Sequence, residues 1–332
     1  MVIRQEQGNY HQVNLIMNTS LLNFIKEAVD VDTTSYYYFK DKYAIDLLSY
    51  TLEAGEVSIH QLKKSHWGFL LQKDVLQKVT SRLPNQRLSR EQLRYFWAAD
   101  SRHYTLSVGQ WGKHSKHRND DWYQTSRPGV NLVLQLNFGH EHNTCYYQLV
   151  QPKKHTRPFS YLGHPIAEKG HTLAWTRMDI DLDTGEVLIE EVQNDWLRTV
   201  REVLTSVKQG EEHWRLHRMN TDKEKFLRYY HEEIRWHERV WDEAILSAAV
   251  WFIKRELGIS RIYFHTFETG NIMKQLTYSQ PPRSLYTKLP RRFGFQKTDE
   301  APKFLQQDKY LKRTFRKHKN LTWFYLNLEN CG

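Results

Sequence analysis

The sequence predicts an α+β protein in which a helical N-terminal region precedes a mixed, mostly antiparallel sheet flanked by helices. Apolar residues recur at three- and four-residue spacings over the first hundred residues, and the period changes to that of strands near Tyr104. Helical and strand patterns then alternate after Trp196. We therefore expect a helical region at 1–100 and an α/β domain at 101–332, with a charged helical insertion at about 197–240.

Composition indicates a folded chain. Of its 332 residues, 39% are hydrophobic and 14% aromatic, which is enough apolar surface for a sizeable core. No run approaches the roughly 18 apolar residues of a membrane span, and the first residues lack the apolar region of a secretory signal. We expect a cytoplasmic protein without a membrane partner. Cys145 and Cys331 are too few for a disulfide framework or a thiolate zinc site.

Four helices are predicted in the first hundred residues, where apolar side chains recur with helical spacing. Breakers such as Gly55 and Pro84 separate them. Ser89 is followed three residues later by Gln92, the pattern of a capping box at a helix start. The predicted helical segments are 21–29, 36–52, 68–79 and 89–97.

A meander of strands is predicted next, because β-branched, aromatic and alternating residues replace the helical period. The sequence Asp183-Thr184-Gly185 suits a tight hairpin turn, where glycine takes a positive φ. The predicted strands are 104–111, 130–138, 145–150, 173–182 and 186–193.

The rest of the chain alternates between helices and strands. A charged helical stretch runs to about residue 240, and 241–258 is apolar on nearly all faces, so this helix is expected to be buried. A strand at 259–267, a basic amphipathic helix at 303–319 and a last strand at 321–328 follow. A helix that connects two strands in this way favours one parallel pair in the sheet.

Positive charge is concentrated near the C-terminus. The formal net charge is +10, and 282–319 alone carries +9, from 12 Lys and Arg residues against 3 Asp and Glu. Such a patch commonly contacts nucleic acid or another polyanion, with Arg313, Arg316 and Lys317 as candidate contacts. The alternative is a solvated surface that keeps the protein soluble.

The order of elements from 172 to 328 resembles the C-terminal half of the GNAT (Gcn5-related N-acetyltransferase) superfamily. A hairpin ending in IEEVQND is followed by a helix, the strand RIYFHTF, the segment LYTKLPRRFGF and the last strand WFYLNL. Asn271, Tyr286 and Gly294-Phe295 stand in places comparable to the family's Asn, Tyr and Gly-Phe. The resemblance implies transfer of an acyl group from acyl-CoA to an amine.

The chain departs from that family at the donor site. The family binds the pyrophosphate of acetyl-CoA with a glycine loop at the start of the helix after the Glu-bearing strand. Here that place reads NDWLRTVREVL, without such a loop. Either the donor is held differently, with Asn271, Arg291 and Arg292 as candidate contacts, or the fold no longer uses acetyl-CoA.

A second resemblance is more local. IEEVQNDW, the buried helix and LYTKLP are similar to a domain of large phage polyvalent proteins, in which EEIQSDW-like strands precede a similar helix and strand. This resemblance implies a phage or mobile-element context. It favours the alternative function, a module that binds nucleic acid or a protein through the basic C-terminal surface.

Glu190 and Glu191 are the candidate catalytic carboxylates. On a strand their side chains point to opposite faces, so one of them is expected to face a cleft. If burial raises its pKa, that carboxylate could act as a general base on an amine. The alternative is an ion pair with a neighbouring Arg or Lys. Asp195 and Trp196 follow, and they suit either a helix cap or a ligand contact.

Tyr286 or Tyr278 could protonate the leaving thiolate, a role that the resemblance implies. Histidine pairs four residues apart, such as His213 and His217, fit a metal site only weakly, because no HExxH pattern occurs. We therefore expect no bound metal. The sequence also lacks a P-loop, a Rossmann glycine pattern and a G-x-S-x-G nucleophile elbow.

Overall fold

The fold is described from a computed structural model of the chain. The described residues are 17, 19–29, 34–52, 55–83, 85–112, 124–168, 170–211, 218–276 and 280–329.

Ten strands and thirteen α-helices lie within these residues. The strands are β1 (Ser35–Tyr38), β2 (Glu56–Ser58), β3 (Arg87–Ser89), β4 (Arg102–Trp111), β5 (Asn131–Phe138), β6 (Thr172–Asp181), β7 (Glu186–Gln193), β8 (Arg261–His265), β9 (Gln296–Thr298) and β10 (Trp323–Asn327). The α-helices are α1 (Thr19–Ala28), α2 (Lys42–Thr51), α3 (Ile59–Lys64), α4 (Asp74–Thr80), α5 (Arg90–Arg94), α6 (His140–Leu149), α7 (Trp196–Gln209), α8 (Lys223–Tyr229), α9 (Arg235–Trp251), α10 (Phe267–Met273), α11 (Lys288–Arg292), α12 (Lys303–Gln307) and α13 (Lys312–Lys317). Short 3₁₀ helices cover His66–Gln72 and Arg283–Tyr286, and π-helical turns cover Tyr230–Ile234 and Phe252–Glu256.

The main sheet has eight strands in the order β1-β4-β5-β6-β7-β8-β10-β9, and β2 pairs with β3 in a separate ribbon. All neighbours in the main sheet are antiparallel except β7 and β8, which are parallel. The predicted fold class, a mixed and mostly antiparallel sheet flanked by helices, is confirmed. The single parallel pair arises because helices rather than a hairpin connect β7 to β8.

The parallel pair stops before β7 ends. Its register runs from Glu186 opposite Arg261 to Ile189 opposite Phe264. Strand β7 continues to Gln193, whereas β8 ends at His265. The last residues of β7 therefore pair only with β6 among the described strands, and the sheet is open on their other side.

The two faces of the sheet bury different cores. One face packs against α7 and α9 in the large core, which includes Ile189 of β7 and Phe264 of β8. The neighbouring residues Leu188 and Tyr263 point to the other face, where they pack with Trp323 and the C-terminal helices in a smaller cluster. This division follows from the alternation of side chains along each strand.

The N-terminal region differs from its prediction at Tyr36–Tyr38, which is strand β1 rather than the start of a helix. Tyr36 and Tyr38 are buried and Tyr37 is exposed, so burial has the two-residue period of a strand. Asp41, with φ of 61°, separates this strand from α2. Because β1 pairs with β4, the N-terminal region contributes a strand to the main sheet.

The strand predicted at 145–150 was wrong, since these residues belong to helix α6. The buried residues of α6 are His142, Tyr146 and Leu149, which follow each other at spacings of four and three. This is the period of one helix face, and it becomes visible only when the segment is read from His142 rather than from Cys145.

The charged stretch at 197–240 is not one helix. Helix α7 ends at Gly210, whose φ of 74° suits the left-handed C-cap position. Helix α8 begins after Asp222, whose side chain accepts a hydrogen bond from the Lys225 amide. Helix α9 and the π-helical turn after it carry the predicted buried segment. Gly258, with φ of 68°, lies two residues after that turn.

The basic helix predicted at 303–319 is divided into α12 and α13. The carboxylate of Asp308 accepts a hydrogen bond from the Tyr310 amide, and the Asp308 carbonyl accepts one from the Leu311 amide, so a turn interrupts the helix there.

Among the described residues, no helix combines the length and the apolar character needed to cross a membrane.

Candidate functional site

A cleft of about 820 Å³ opens at the carboxyl end of β7, where the parallel pairing has stopped. Glu191 and Gln193 of β7 lie at its base, Trp175 of β6 lies beside them, and Arg198 of α7 is at the rim. The segment between α6 and β6 contributes His164. The carboxyl ends of parallel strands commonly form ligand sites in sheets of this kind, because the chain diverges there.

A β-bulge places Glu190 and Glu191 differently from the sequence expectation. Glu191 is opposite Arg177 and Ile189 is opposite Met178, so Glu190 is an extra residue in β7. The expectation that the two side chains point to opposite faces was wrong, because a bulge interrupts the alternation. Both carboxylates lie close enough to Arg177 and Lys274 for these cations to lower their pKa values.

Glu190 is fully buried and does not line the cleft. Its carboxylate accepts hydrogen bonds from the Ser126 amide and hydroxyl, each at 2.9 Å, and lies 3.1 Å from His265 Nε2. Ser126 Oγ is in turn 2.7 Å from His265 Nε2. Burial opposes ionisation, but the bond to His265 and nearby cations lower the pKa of Glu190 to about 2. Glu190 is therefore an ionised carboxylate that is held inside a buried hydrogen-bond network.

These three residues are not arranged as a nucleophilic triad. In such a triad the carboxylate binds the imidazole nitrogen away from the hydroxyl. Here Glu190 and Ser126 both approach Nε2 of His265, and His265 Nδ1 is buried without a partner among the described residues. All three side chains are inaccessible, so a substrate could not reach Ser126.

Glu191 is the carboxylate that faces the cleft, with 13% of its side chain exposed. It pairs with the buried guanidinium of Arg177 and lies 3.7 Å from Lys274 Nζ. Burial raises the pKa of Glu191, but Arg177 and Lys274 outweigh this effect and hold the pKa below its usual value. Glu191 remains a carboxylate at neutral pH and has little basicity.

Tyr286 lies behind the cleft, where the parallel strands separate. Its hydroxyl is 3.5 Å from the Glu190 carbonyl, which also accepts a hydrogen bond from Lys274 Nζ at 3.0 Å. Burial raises the pKa of Tyr286 well above 10, so its hydroxyl keeps its proton. Leu285, rather than Tyr286, lines the cleft. The other candidate acid, Tyr278, is outside the described residues.

His164, which lines the cleft, forms a polar pair with the nearly buried Asp195 behind it, and the sequence did not indicate this pair. His164 Nδ1 lies 2.9 and 3.0 Å from the two Asp195 oxygens. Asp195 precedes α7, yet its side chain does not cap the helix, because the Asn194 side chain accepts the hydrogen bond from the Leu197 amide. The chain has 17 histidines, and His164 lies in a polar segment without a recognisable motif. The sequence therefore offered no reason to single it out.

Aromatic rings form much of the cleft wall. Trp111 stacks on Trp175 with ring centroids 6.4 Å apart, and Tyr161 meets the His164 ring edge-on at 4.6 Å. The guanidinium of Arg177 lies over the Trp111 ring at 5.0 Å. A wall of this composition can bind a flat or apolar group and can stabilise a cation.

The predicted donor contacts lie elsewhere. Arg292 forms ion pairs with Asp242 and Glu243 on α9, and Arg291 is exposed on α11. Asn271 lies on α10, and its Oδ1 is buried without a partner among the described residues. None of these three residues is among the described residues that line the cleft. Among the described residues, the Lys and Arg side chains that do line it are Arg198 and Arg201 of α7.

The predicted nucleic-acid contacts share one surface. Arg313, Arg316 and Lys317 are all exposed on α13, while Leu311 is buried and Phe315 packs against the smaller core. The helix therefore has one apolar side and one cationic side.

Within the part of the chain that the structure describes, no group of three or more His, Cys, Asp or Glu side chains could hold a metal ion. His213 and His217 are outside the described residues.

Comparisons of the chain with protein-family models, with curated proteins and with solved structures found no match.

Proposed function

We propose that the cleft binds an acyl thioester and that the protein transfers the acyl group to an amine. The observation that carries this proposal is the separation of β7 from β8 after Ile189 and Phe264, which opens a cleft beside the Glu-bearing strand. The order of the hairpin β6-β7, helix α7, parallel strand β8 and final strand β10 supports the GNAT resemblance. Gly294-Phe295 directly precedes β9, in accordance with the same resemblance.

Arginines at the start of α7 take the place of the glycine loop in this proposal. Arg198 and Arg201 lie one helical turn apart at the cleft rim, and more than half of each side chain is exposed. Each also pairs with a mostly buried carboxylate, Arg198 with Asp195 and Arg201 with Glu238, and the pairs leave other N–H donors of each guanidinium for a ligand. Guanidinium groups bind phosphates in a bidentate manner and can hold the anionic part of a CoA thioester.

Glu191 binds the amine acceptor. Its carboxylate is negatively charged at neutral pH and is partly exposed at the base of the cleft, so it attracts a protonated amine. The protonated amine must lose one proton to solvent before its nitrogen can attack the thioester carbonyl, and it loses a second proton as the carbon–nitrogen bond forms. The products are an amide and a free thiol, so the reaction requires no oxidant or reductant.

Binding of the donor tests the proposal directly. Acetyl-CoA and longer acyl-CoA thioesters are titrated by calorimetry and by thermal shift, because a ligand that binds the native state raises its stability. We expect stabilisation, and weaker binding in Arg201→Gln than in the matched control Arg239→Gln, which changes an exposed arginine on α9. No heat and no stabilisation at millimolar thioester would overturn the proposal.

A second candidate is binding of a polyanion such as nucleic acid through α13. The observation that favours it is the grouping of Arg313, Arg316 and Lys317 as exposed cations on the side of α13 away from the core. The local resemblance to a phage domain supports this candidate. Binding through phosphates releases counterions, so affinity should fall steeply with salt.

Fluorescence anisotropy with tRNA and with single- and double-stranded oligonucleotides, at two salt concentrations, tests this candidate. Replacement of Arg313, Arg316 and Lys317 by Gln should weaken binding and flatten its salt dependence. Replacement of Lys63, Lys64 and Lys78, which are exposed on α3 and α4, is the matched control. Absence of binding at low salt would mean that the surface only keeps the protein soluble.

A further inference from the structure

We propose that His164, oriented by Asp195, is the general base that deprotonates the nucleophile in the cleft. This inference rests on the proposed acyl transfer and assigns its proton-transfer step. It arises from the geometry of the cleft, in which an imidazole with one nitrogen held by a carboxylate faces the space that a substrate would occupy.

Asp195 is held as an acceptor by several donors. Its carboxylate accepts hydrogen bonds from Arg198 at 2.7 Å and from the Trp175 indole at 3.2 Å. Gln193 Nε2 lies 3.2 Å from one carboxylate oxygen and 3.0 Å from His164 Nδ1. The bond to His164 and the nearby Arg198 lower the pKa of Asp195 despite its burial, so the group is ionised at neutral pH.

An ionised carboxylate fixes the tautomer of His164. It can only accept hydrogen bonds, so Nδ1 of His164 must carry the proton that it donates to Asp195. In the neutral imidazole, Nε2 then keeps its lone pair and can accept a proton. No hydrogen-bond partner for Nε2 occurs among the described residues, and 22% of the side chain is exposed.

Rings around His164 fix its position. Trp175 meets the imidazole at a centroid distance of 5.4 Å, and Trp111 does so at 6.3 Å. Tyr161 packs from the same segment, and a Cβ atom at Gly163 would lie 2.8 Å from its ring, so a larger residue there would displace the ring. A base held in this way loses little entropy when the nucleophile arrives.

The other candidate bases are less suitable. Glu190 is fully buried, and Arg177 and Lys274 hold the pKa of Glu191 below its usual value, so its carboxylate is a weak base. Among the other buried histidines, His237 and His265 are inaccessible from the cleft. His164 therefore combines access to the cleft with a free lone pair.

The bound ammonium first releases one proton to solvent, because only the neutral amine has a lone pair. As the neutral amine nitrogen forms a bond to the thioester carbonyl carbon, it transfers a second proton to His164 Nε2. The resulting imidazolium is stabilised by Asp195 and by Glu191, whose charge is close enough to interact with His164. When the carbon–sulfur bond breaks, the imidazolium returns the proton to the leaving thiolate. One thioester and one amine thus give one amide and one thiol.

Among the described residues, the charged groups around His164 come from three elements. Asp195 directly precedes α7 and Arg198 lies on it, Glu191 belongs to β7, and its partner Arg177 belongs to β6. A pH profile therefore reports on this group of charges. For this reason the test compares variants of His164 and Asp195 and does not rely on the wild-type profile alone.

Two measurements test the pair without a substrate. Nitrogen-15 NMR at neutral pH should show His164 protonated at Nδ1, with this preference weakened in Asp195→Asn. Diethyl pyrocarbonate, which attacks the unprotonated nitrogen of a neutral imidazole, should modify His164 faster in the wild type than in Asp195→Asn, as mapped by mass spectrometry. Protonation at Nε2, or equal modification rates in both proteins, would overturn the inference.

Kinetics test the catalytic role. In single-turnover transfer from acetyl-CoA to an amine, His164→Gln should lose about a hundredfold or more in rate, the usual effect of losing a general base. The imidazole-dependent acid limb of the pH profile should vanish, and added imidazole should restore part of the rate. His60→Gln, at an exposed position on α3, is the matched control.

The outcomes separate the two proposals. If the wild type transfers the acyl group and His164→Gln keeps its rate, the general-base role is wrong and the proposed function remains. If the wild type neither binds nor uses any thioester, the proposed function is wrong. The NMR and modification experiments still decide whether the His164-Asp195 pair exists as a reactive base.

Discussion

The hydroxyl of Tyr104 lies 2.7 Å from His237 Nδ1, and this hydrogen bond joins β4 to α9 inside the large core. A similar bond of 2.9 Å joins His142 Nε2 on α6 to the hydroxyl of Tyr229 on α8. All four side chains are buried. Burial lowers the pKa of both imidazoles, so protonating either ring in the folded protein costs free energy.

Stability should fall as the pH decreases below about 6.5. Burial lowers the pKa of His237 to about 3 and that of His171 to about 4, so the unfolded chain binds more protons at pH values between these and 6.5. Protonation of each residue should lower the unfolding free energy by roughly 1.5 kcal/mol between pH 6.5 and pH 5. Urea denaturation at pH 7.5, 6 and 5 measures this loss.

The matched variant is His237→Gln, which should have a lower stability at pH 7.5 and a shallower pH dependence. His60→Gln, at an exposed position, should change neither. An unfolding free energy that is constant from pH 7.5 to 5 would contradict the role of the buried imidazoles.

Ser126→Ala should destabilise the fold. The substitution removes a hydroxyl that donates to the buried Glu190 carboxylate and also contacts His265. Loss of one hydrogen bond to a buried charged group costs about 1–3 kcal/mol. Chemical denaturation should show this loss, whereas Ser81→Ala, at an exposed position where Oγ bonds only to the Lys78 carbonyl, should be nearly neutral. Equal stabilities of the two variants would count against the network.

Glu191 and Lys274 should be coupled energetically. Glu191→Gln removes the negative charge that pairs with Arg177 and lies beside Lys274. Lys274→Met removes a buried cation. Each single substitution should destabilise the protein, because it unbalances a buried group of charges. The double variant should lose less than the sum of the two by roughly 1–3 kcal/mol. Strict additivity in a double-mutant cycle would show that the pair does not interact.

Glu243 of α9 should be important for holding the N-terminal region against this helix. Its buried carboxylate accepts a hydrogen bond from the Asp41 amide at 2.8 Å and pairs with Lys40 and Arg292. Glu243→Gln is expected to cost about 3 kcal/mol, in the range for breaking a buried ion pair. Asp242→Asn, which changes a more exposed partner of Arg292, should cost less. Hydrogen exchange should then increase first in α2, and unchanged exchange there would contradict this assignment.

Local patterns were sufficient to predict much of the sheet. The alternation of apolar residues predicted β4, β5, β6 and β7, and the Asp183-Thr184-Gly185 turn between the last two has Gly185 at a φ of 61°. The Ser89 and Gln92 capping box is present as predicted. Patterns of this kind are reliable because each depends on neighbours along the chain.

Where two periods compete in a short segment, the sequence predicted the wrong element. Tyr36–Tyr38 is contiguous with a helical pattern and becomes a strand only because β4 offers a partner. The segment after Gly139 is rich in aromatic residues that favour strands, yet packing against α8 makes it helix α6. In both cases a distant contact decides between two local alternatives.

The sequence by itself determined that Glu190 and Glu191 end a central strand next to Asp195, and that cations gather near the C-terminus. Only the tertiary structure decided what each of these groups does. The bulge buries Glu190 and leaves Glu191 in the cleft, paired with Arg177. The tertiary fold also brings His164, which is 31 residues before Asp195, within hydrogen-bond distance of the Asp195 carboxylate. Such pairings depend on how strands and loops meet in space, and no local spacing encodes them.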